Sequence, residues 1–173
     1  AAAEPAERAA HARSVRLRID EITERLRLRV PVYVLLSKAD RVRGFDAYFD
    51  DLDAVARAQV WGMTFPLGGG VEAFGREFRL LLGRLDERRV ERLQAERASE
   101  RRGLIDSFPL QVASLEQPLT EFLQLAFEGG KLDPAPLLRG VYMTSATQQG
   151  TPIDRLTGML ARSFGVDQAR VPS

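Results

Sequence analysis

The fold of this chain is decided by the stretch Val30-Pro31-Val32-Tyr33-Val34-Leu35-Leu36-Ser37-Lys38-Ala39-Asp40. Its first seven residues are apolar throughout and rich in β-branched side chains, a pattern typical of a strand that is buried on both faces in a parallel sheet. Pro31 fits the entrance of such a strand, where its missing N–H costs least. The sequence therefore predicts an α/β fold in which helices cover this strand.

Helical spacing dominates the rest of the chain. A helix before the strand is predicted by an apolar stripe at Ala12, Val15, Ile19, Ile22 and Leu26. Similar spacing after the strand predicts helices over about 45–56, 71–102 and 112–126. We expect a loop at 61–70, a break at Gly103 and, at Pro118, either a kink or the start of a further helix.

The C-terminal part predicts a second strand at 140–144 and then a last helix that ends near Gly165. Thr151 supplies a cap for that helix and Pro152 stands at its first position. Its buried face is expected to carry Ile153, Leu156 and Leu160.

The first strand runs into Ser37, Lys38 and Asp40, which resemble the Asn/Thr-Lys-x-Asp base-recognition motif of GTP-binding domains. In that motif the aspartate accepts two hydrogen bonds from the N1–H and N2–H2 edge of guanine, and the lysine stem lies along the base. The first residue of the motif, here Ser37, hydrogen-bonds the loop to neighbouring backbone. Ligands bind outside the carboxyl ends of strands in open α/β sheets, where this motif lies. The alternative is a surface ion pair between Lys38 and Asp40.

The second strand ends in Thr144, Ser145 and Ala146, which resemble the companion motif of the same domains. In that motif a backbone N–H at the Ser-Ala step contacts the base oxygen. Alone, these residues also fit an ordinary turn. Both motifs follow predicted strands in the right order, so the sequence predicts GTPase-like ancestry and a base-binding site, either functional or vestigial.

The predicted fold is α/β, the C-terminal part of a P-loop GTPase-like domain with few parallel strands and a large, mostly helical insertion. Sheets usually have about 4 to 6 strands, so we expect the partner strands to be encoded upstream of this chain. The expected division is 1–42 for the first helix and strand, 43–137 for the insertion, and 138–173 for the final strand and helix.

No catalytic or metal-binding residue is predicted. The chain has no G-x-x-x-x-G-K-[ST] phosphate loop, so it should not hydrolyse a nucleotide by itself. It contains no cysteine and a single histidine, His11, which disfavours zinc sites and Ser-His-Asp triads. The 25 basic and 24 acidic residues give no global attraction to nucleic acid. No apolar run reaches the roughly 18 to 20 residues of a membrane helix.

Two charged stretches are expected to be structural. Residues 76–102 interleave arginines with acids, a pattern typical of an exposed, salt-bridged helix rather than a nucleic-acid tract. For a second, acidic cluster we expect a solvated helix face rather than a divalent-ion site, and its members are Asp46, Asp50, Asp51 and Asp53. The expected core includes the aromatic side chains Trp61, Phe65, Phe74 and Phe78.

Two long stretches of sequence extend the resemblance from a fold to a particular protein family. PVYVLLSKADRVRGFDAYFDDLDAVARAQVWGMTFPL (31–67) and PAPLLRGVYMTSATQQGTPIDRL (134–156) resemble the cytoplasmic region of the TssM/IcmF family of type VI secretion systems. The resemblance extends over about residues 4–165. It implies an inner-membrane parent protein with a cytoplasmic NTPase-like domain, whose phosphate loop lies upstream of the matched region.

The resemblance leaves two roles open. The first is a scaffold that docks other membrane-complex and baseplate subunits of the TssL/DotU-like and TssK-like kinds. The second is the base-recognition half of a switch that uses GTP or ATP with magnesium. Some members of the family have a degenerate phosphate loop, so the resemblance does not fix whether the parent hydrolyses a nucleotide. Both roles place the chain at the cytoplasmic face of the inner membrane, with no nucleic acid and no insertion of this segment into the bilayer.

Overall fold

The computed structural model describes residues 4–57, 59–129 and 135–145. Its elements in chain order are α1 (Pro5–Leu26), β1 (Pro31–Leu36), α2 (Phe45–Phe49), α3 (Ala54–Arg57), β2 (Trp61–Thr64), α4 (Gly70–Ala95), α5 (Ser99–Ala113), α6 (Glu116–Phe127) and β3 (Leu137–Met143). A short 3-10 turn, Ala39–Arg41, follows β1. The mixed α/β class is confirmed, whereas the predicted last helix and Ala146 lie outside the described residues.

The three strands form one sheet in the order β1-β3-β2. β1 and β3 are parallel, with Val34 opposite Val141 and Leu36 opposite Met143. This pairing brings the carboxyl ends of the two predicted strands to the same edge of the sheet, although a long helical stretch separates them along the chain. The sheet therefore places the two sequence motifs side by side.

The predicted loop at 61–70 is wrong for its first four residues, which form β2 antiparallel to β3. Trp61 and Met63 face the core, but Gly62 and Thr64 between them carry no apolar signal, so the alternation is too short to recognise beside the proline and glycines that follow. β2 lies inside the stretch expected to be the insertion, 43–137, and joins the sheet. The division into 1–42, 43–137 and 138–173 stays a prediction.

The prediction that β1 is buried on both faces is wrong within the described residues. Val32, Val34 and Leu36 pack against the core, whereas Tyr33 is 50% exposed and Leu35 is 64% exposed. β1 is also an edge strand, since β3 is its neighbour on one side only. The helices of the described chain cover one face of the sheet, which is why the apolar run is only half buried.

The predicted helix 71–102 is divided into α4 and α5, and the break lies at residues 96–98 rather than at Gly103. The Glu96 carboxylate accepts the backbone N–H groups of Arg97 and Ala98, both at 2.9 Å. These two bonds fix the turn between the helices, whereas α5 begins after Ala98, an N-cap residue without a side-chain cap bond. A charged side chain therefore makes the reversal, while Gly103 is an ordinary exposed residue within α5.

The stripe of α1 is buried only where a partner helix lies against it. Ala12 and Ile19 are buried, but Ile22 is 46% exposed and Leu26 is 55% exposed. α6 is the helix that α1 packs against, and it ends opposite Arg16, whose guanidinium donates to the Glu128 carbonyl. The last turns of α1 extend past the end of α6 and keep their apolar side chains in solvent.

The core lies between the helices and one face of the sheet. The aromatic prediction is confirmed: Phe65, Phe74 and Phe78 are buried, and Trp61 is partly buried against Phe45. Pro118 stands in the first turn of α6, so it begins a further helix rather than kinking one. In the part of the chain that the structure describes, no helix has both the length and the apolar character needed to cross a membrane.

Candidate functional site

The loop after β1 turns back immediately at Lys38, which has a left-handed backbone (φ 65°). That conformation costs a side-chain-bearing residue roughly 1–2 kcal/mol, and such strain concentrates at functional sites. The Arg41 N–H donates to the Lys38 carbonyl at 3.0 Å, and the Val42 N–H donates to the Ala39 carbonyl at 3.0 Å. The turn is therefore fixed by its own backbone, and the Lys38 side chain is exposed.

Three hydrogen bonds tie this loop to the end of β3. The Thr144 N–H donates to the Leu36 carbonyl at 2.9 Å, and the Ala39 N–H donates to the Thr144 carbonyl at 3.0 Å. These bonds continue the parallel ladder beyond both strands. The Ser145 hydroxyl then donates to a carboxylate oxygen of Asp40 at 3.3 Å, across 105 residues of sequence. The two motifs thus form one continuous surface at the carboxyl edge of the sheet.

This arrangement can orient a carboxylate toward a planar ligand. Asp40 is partly buried, and Ser145 holds one side of its carboxylate, so the side chain does not rotate freely. A fixed carboxylate accepts paired N–H donors strongly, and a lysine stem beside it supplies an apolar wall. Within the described residues, the Ser145 hydroxyl donates to the Asp40 carboxylate, and the ion pair between Lys38 and Asp40 stays an untested alternative. Ser37 lies exposed in the same loop, whereas Ala146 is outside the described residues.

Comparisons with known proteins match nearly the whole chain. The sequence model of the IcmF-related N-terminal domain matches residues 1–173. The chain belongs to the IcmF-related N-terminal domain family. It is 50% identical to the type VI secretion system component TssM1 of Pseudomonas aeruginosa, over 94% of this chain and 15% of that protein. The predicted resemblance is therefore confirmed, and the chain spans about 15% of the length of this relative. No solved structure matches.

A cluster of charged side chains links three helices of this IcmF-related domain near the candidate site. The sequence did not predict this cluster. Arg92 is 8% exposed and donates to the Ala47 carbonyl at 2.8 Å and to Asp50 at 2.7 Å. Arg101 pairs with Asp50 and, at 2.8 Å, with Glu96. These bonds join α2, which follows the Asp40 turn, to α4 and α5. The sequence signal for the cluster was the interleaved charge, which does not reveal which arginine is buried.

Two of the four residues of the acidic cluster, Asp50 and Asp51, form salt bridges with arginine. Asp50 pairs with Arg92 and Arg101, and Asp51 pairs with Arg88. Among the residues that the structure describes, no group of three or more histidine, cysteine, aspartate or glutamate side chains is placed to hold a metal ion. The expected solvated face is thus in part a set of salt bridges at the surface of α2.

Two pKa shifts report on this cluster and the core beneath it. Hydrogen bonds from the Arg101 side chain and the Ala98 N–H lower the pKa of Glu96 to about 2. Burial raises the pKa of Tyr48 to about 12, and its hydroxyl donates to the Leu85 carbonyl. Both groups therefore keep one protonation state across the physiological range, and both act as structural ties rather than as proton-transfer groups.

Proposed function

We propose that this chain is part of a type VI secretion system component and works at the cytoplasmic face of the inner membrane. The support is the match of residues 1–173 to the model of the IcmF-related N-terminal domain and the 50% identity to a type VI secretion component. The partners in this proposal are other subunits of the same membrane complex and baseplate. The relative extends far beyond the matched region, so these roles are proposed for the longer protein of which such a domain is a part.

Within that system, the chain supplies the base-recognition half of a nucleotide site in a P-loop GTPase-like domain. The observation that carries this proposal is the hydrogen bond between Ser145 and Asp40, which joins two motifs that lie 105 residues apart in sequence. The parallel pairing of β1 with β3 brings the two loops together, and the side-chain bond adds a direct link between the two motifs. The parallel pairing of β1 with β3 supports the same fold, because ligands bind at the carboxyl ends of such strands.

The ligand in this proposal is GTP or ATP, with magnesium held together with the phosphates by residues upstream of this chain. Asp40 would accept the N–H donors of the base, and the Lys38 stem would lie along its plane. Backbone at Ser145 and Ala146 would contact the base oxygen. Asp40 favours guanine over adenine, since only guanine presents two adjacent N–H donors to one carboxylate. The chain itself contains no phosphate-loop motif, so binding requires the upstream segment.

The test is a titration of fluorescent GTP and ATP into this chain and into a protein extended upstream through the whole N-terminal cytoplasmic region. We expect guanine-selective binding in the extended protein alone. Asp40→Ala should weaken that binding by roughly 5- to 150-fold, because one lost bidentate base contact is worth about 1–3 kcal/mol. Asp46→Ala is the matched control, since Asp46 is an exposed acid on the neighbouring helix α2.

Three outcomes would contradict the proposal. Equal affinity of the extended protein for GTP and ATP would remove Asp40 from base selection. Equal weakening by Asp40→Ala and Asp46→Ala would show a general charge effect rather than a base contact. Absence of binding in an extended protein with a cooperative unfolding transition would make the motif vestigial.

A second candidate function, a docking scaffold, is favoured by large apolar side chains that stand in solvent on the helices. Val90 on α4 is 53% exposed and Leu110 on α5 is 68% exposed. Such side chains mark contact sites when they lie in one patch. In this role the helical stretch would dock TssL/DotU-like or TssK-like subunits, and nucleotide binding would not be needed.

Secretion assays separate the two functions. A scaffold should tolerate Asp40→Ala and lose secretion with Val90→Asp or Leu110→Asp. A nucleotide switch should show the reverse pattern. Arg84→Ala, an exposed change on α4, serves as the matched control for both, because no described contact depends on it. Loss of secretion with Asp40→Ala alone would exclude the pure scaffold.

A further inference from the structure

The loop that carries Asp40 is braced by its own backbone from the sheet to α2. The Ala39 N–H donates to the Thr144 carbonyl at the edge of the sheet, at 3.0 Å. The Val42 N–H then donates to the Ala39 carbonyl and the Phe45 N–H to the Val42 carbonyl, both at 3.0 Å. Each bond begins at the residue where the one before it ends, and the last one reaches the first residue of α2. A shift of α2 would therefore move the Asp40 turn with it.

Gly44 joins this loop to α2 and lies directly against α5. Its backbone has a φ of 91°, which residues with a side chain rarely adopt. A Cβ built on Gly44 would lie 2.6 Å from the Leu104 carbonyl oxygen and 3.4 Å from the Cβ of Phe108. The nearer of these atoms belongs to the backbone of α5, so it cannot rotate out of the way. Glycine at this position therefore allows the loop and α5 to approach each other this closely.

The rest of α2 also takes its position from α5. α2 has five residues, too few to form a stable helix without packing. Phe108 of α5 is fully buried, and three aromatic rings of α2 lie against it. Their centroids are 4.6–6.2 Å from that of Phe108, and they belong to Phe45, Tyr48 and Phe49. The loop thus continues into a helix that α5 holds in place.

The Asp40 turn is therefore held at both ends. The sheet fixes one end through Thr144 and Ser145, and α5 fixes the other end at Gly44. Hydrogen bonds weaken steeply as the donor angle departs from linear, so a carboxylate that accepts two adjacent N–H groups of one base tolerates little displacement. A change at either end would move the Asp40 carboxylate away from the edge of the base.

We propose that Gly44 is a positioning residue of the base site, and that α5 sets the geometry with which Asp40 meets guanine. This inference rests on the proposed nucleotide function and deepens it, because it makes a helix of the predicted insertion part of the site. Gly44 touches no nucleotide in this role and acts through the Asp40 turn. A glycine needed for packing alone would affect stability, whereas a positioning glycine also affects the preference between bases.

The test compares GTP with inosine triphosphate in the upstream-extended protein. Inosine lacks the exocyclic amine of guanine, so the ratio of the two affinities measures the second N–H bond to Asp40. Gly44→Ala should lower this ratio by roughly fivefold or more, because a bidentate base contact is worth roughly 5- to 150-fold in discrimination. Gly62→Ala is the matched control, since Gly62 lies on β2 and its Cβ would be similarly crowded, 2.5 Å from the Tyr142 ring. Gly62→Ala should leave the ratio unchanged.

Hydrogen exchange gives a second readout that needs no nucleotide. In the same extended protein without ligand, Gly44→Ala should speed the exchange of the amides of residues 39–45 severalfold and leave those of β3 unchanged. Gly62→Ala should have the opposite pattern, because its methyl group would press on β3. Mass spectrometry of peptides from the two segments measures the exchange. Unchanged exchange of residues 39–45 in Gly44→Ala would overturn the proposal.

The nucleotide outcomes separate this inference from the proposed function. An unaltered protein without a preference for GTP over inosine triphosphate would overturn both. A preference that survives Gly44→Ala in a cooperatively folded protein would overturn the positioning role alone and leave the base site in place.

If Gly44→Ala does not fold, Phe108→Leu replaces it, because that change loosens the same contact from the side of α5. Phe78→Leu is its matched control, since Phe78 is an equally buried ring on α4. We expect the preference for GTP to fall in Phe108→Leu and to persist in Phe78→Leu. A preference that persists in both variants, or that falls equally in both, would overturn the proposal.

Discussion

Arg92 offers a quantitative test of how the helices are held together beside the candidate site. Its guanidinium is buried and donates to the Ala47 carbonyl and to Asp50. Arg92→Ala leaves the buried carbonyl without that donor, at a cost of about 1–3 kcal/mol. It also removes two packed methylene groups, at about 0.8 kcal/mol each. The Asp50 side chain is 44% exposed and keeps Arg101 as a partner, so its contribution is below about 1 kcal/mol.

The free energy of unfolding should therefore fall by about 3–5 kcal/mol in Arg92→Ala. Urea denaturation measures it, with the fluorescence of the single tryptophan as the probe, because Trp61 packs against Phe45, Phe49 and Phe108 in the core. Arg92→Met keeps most of the apolar stem and should lose only the hydrogen-bond part. Arg84→Ala on the exposed side of α4 should change stability by less than about 0.5 kcal/mol. Equal losses in Arg92→Ala and Arg84→Ala would refute the reasoning.

Two further predictions concern close packing and pH. Gly62→Ala should destabilise the chain by about 1–3 kcal/mol, because its methyl group would lie 2.5 Å from the Tyr142 ring. Gly83→Ala on α4 has open space around it and should stabilise the chain by about 0.5–1 kcal/mol. Urea denaturation of both variants checks the contrast, and an unchanged stability in Gly62→Ala would contradict it. Because the pKa of Glu96 is lowered from 4.5 to about 2, its contribution to the free energy of unfolding is full above pH 4.5 and is lost as the pH falls toward 2. The stability difference between the unaltered chain and Glu96→Gln should therefore shrink between pH 4.5 and about pH 2. A difference that stays constant with pH would show that the Arg101 and Ala98 bonds to Glu96 do not form.

The apolar stripes predicted where helices form, but not which residues of each stripe are buried. The stripe of α1 predicts a helix correctly, but it does not reveal that Ile22 and Leu26 extend past the end of α6. β2 escaped detection because two of its four residues are Gly62 and Thr64. The break between α4 and α5 escaped detection because a carboxylate makes it, and Glu96 looks in sequence like any other acid of a charged helix.

The sequence predicted which two loops form the candidate site, but not the side-chain contacts between them. Parallel pairing of the two strands, once assumed, places the Lys38 loop next to Thr144. The bond between Ser145 and Asp40 depends on side-chain rotamers and on a left-handed Lys38, neither of which a single sequence encodes visibly. β1 shows the same limit of sequence-based prediction. Its apolar run indicates that the strand is buried, but not which elements pack against each of its faces.

The central claim is that Asp40 selects a guanine base, and a swap of the base tests it most directly. Xanthine carries a carbonyl where guanine carries its exocyclic amine, so an amide at position 40 can donate where the carboxylate accepted. We predict that Asp40→Asn in the upstream-extended protein weakens GTP and gains affinity for xanthosine triphosphate, whereas the unaltered protein prefers GTP. Loss of GTP binding without any gain for xanthosine triphosphate, or no change in either affinity, would contradict the account.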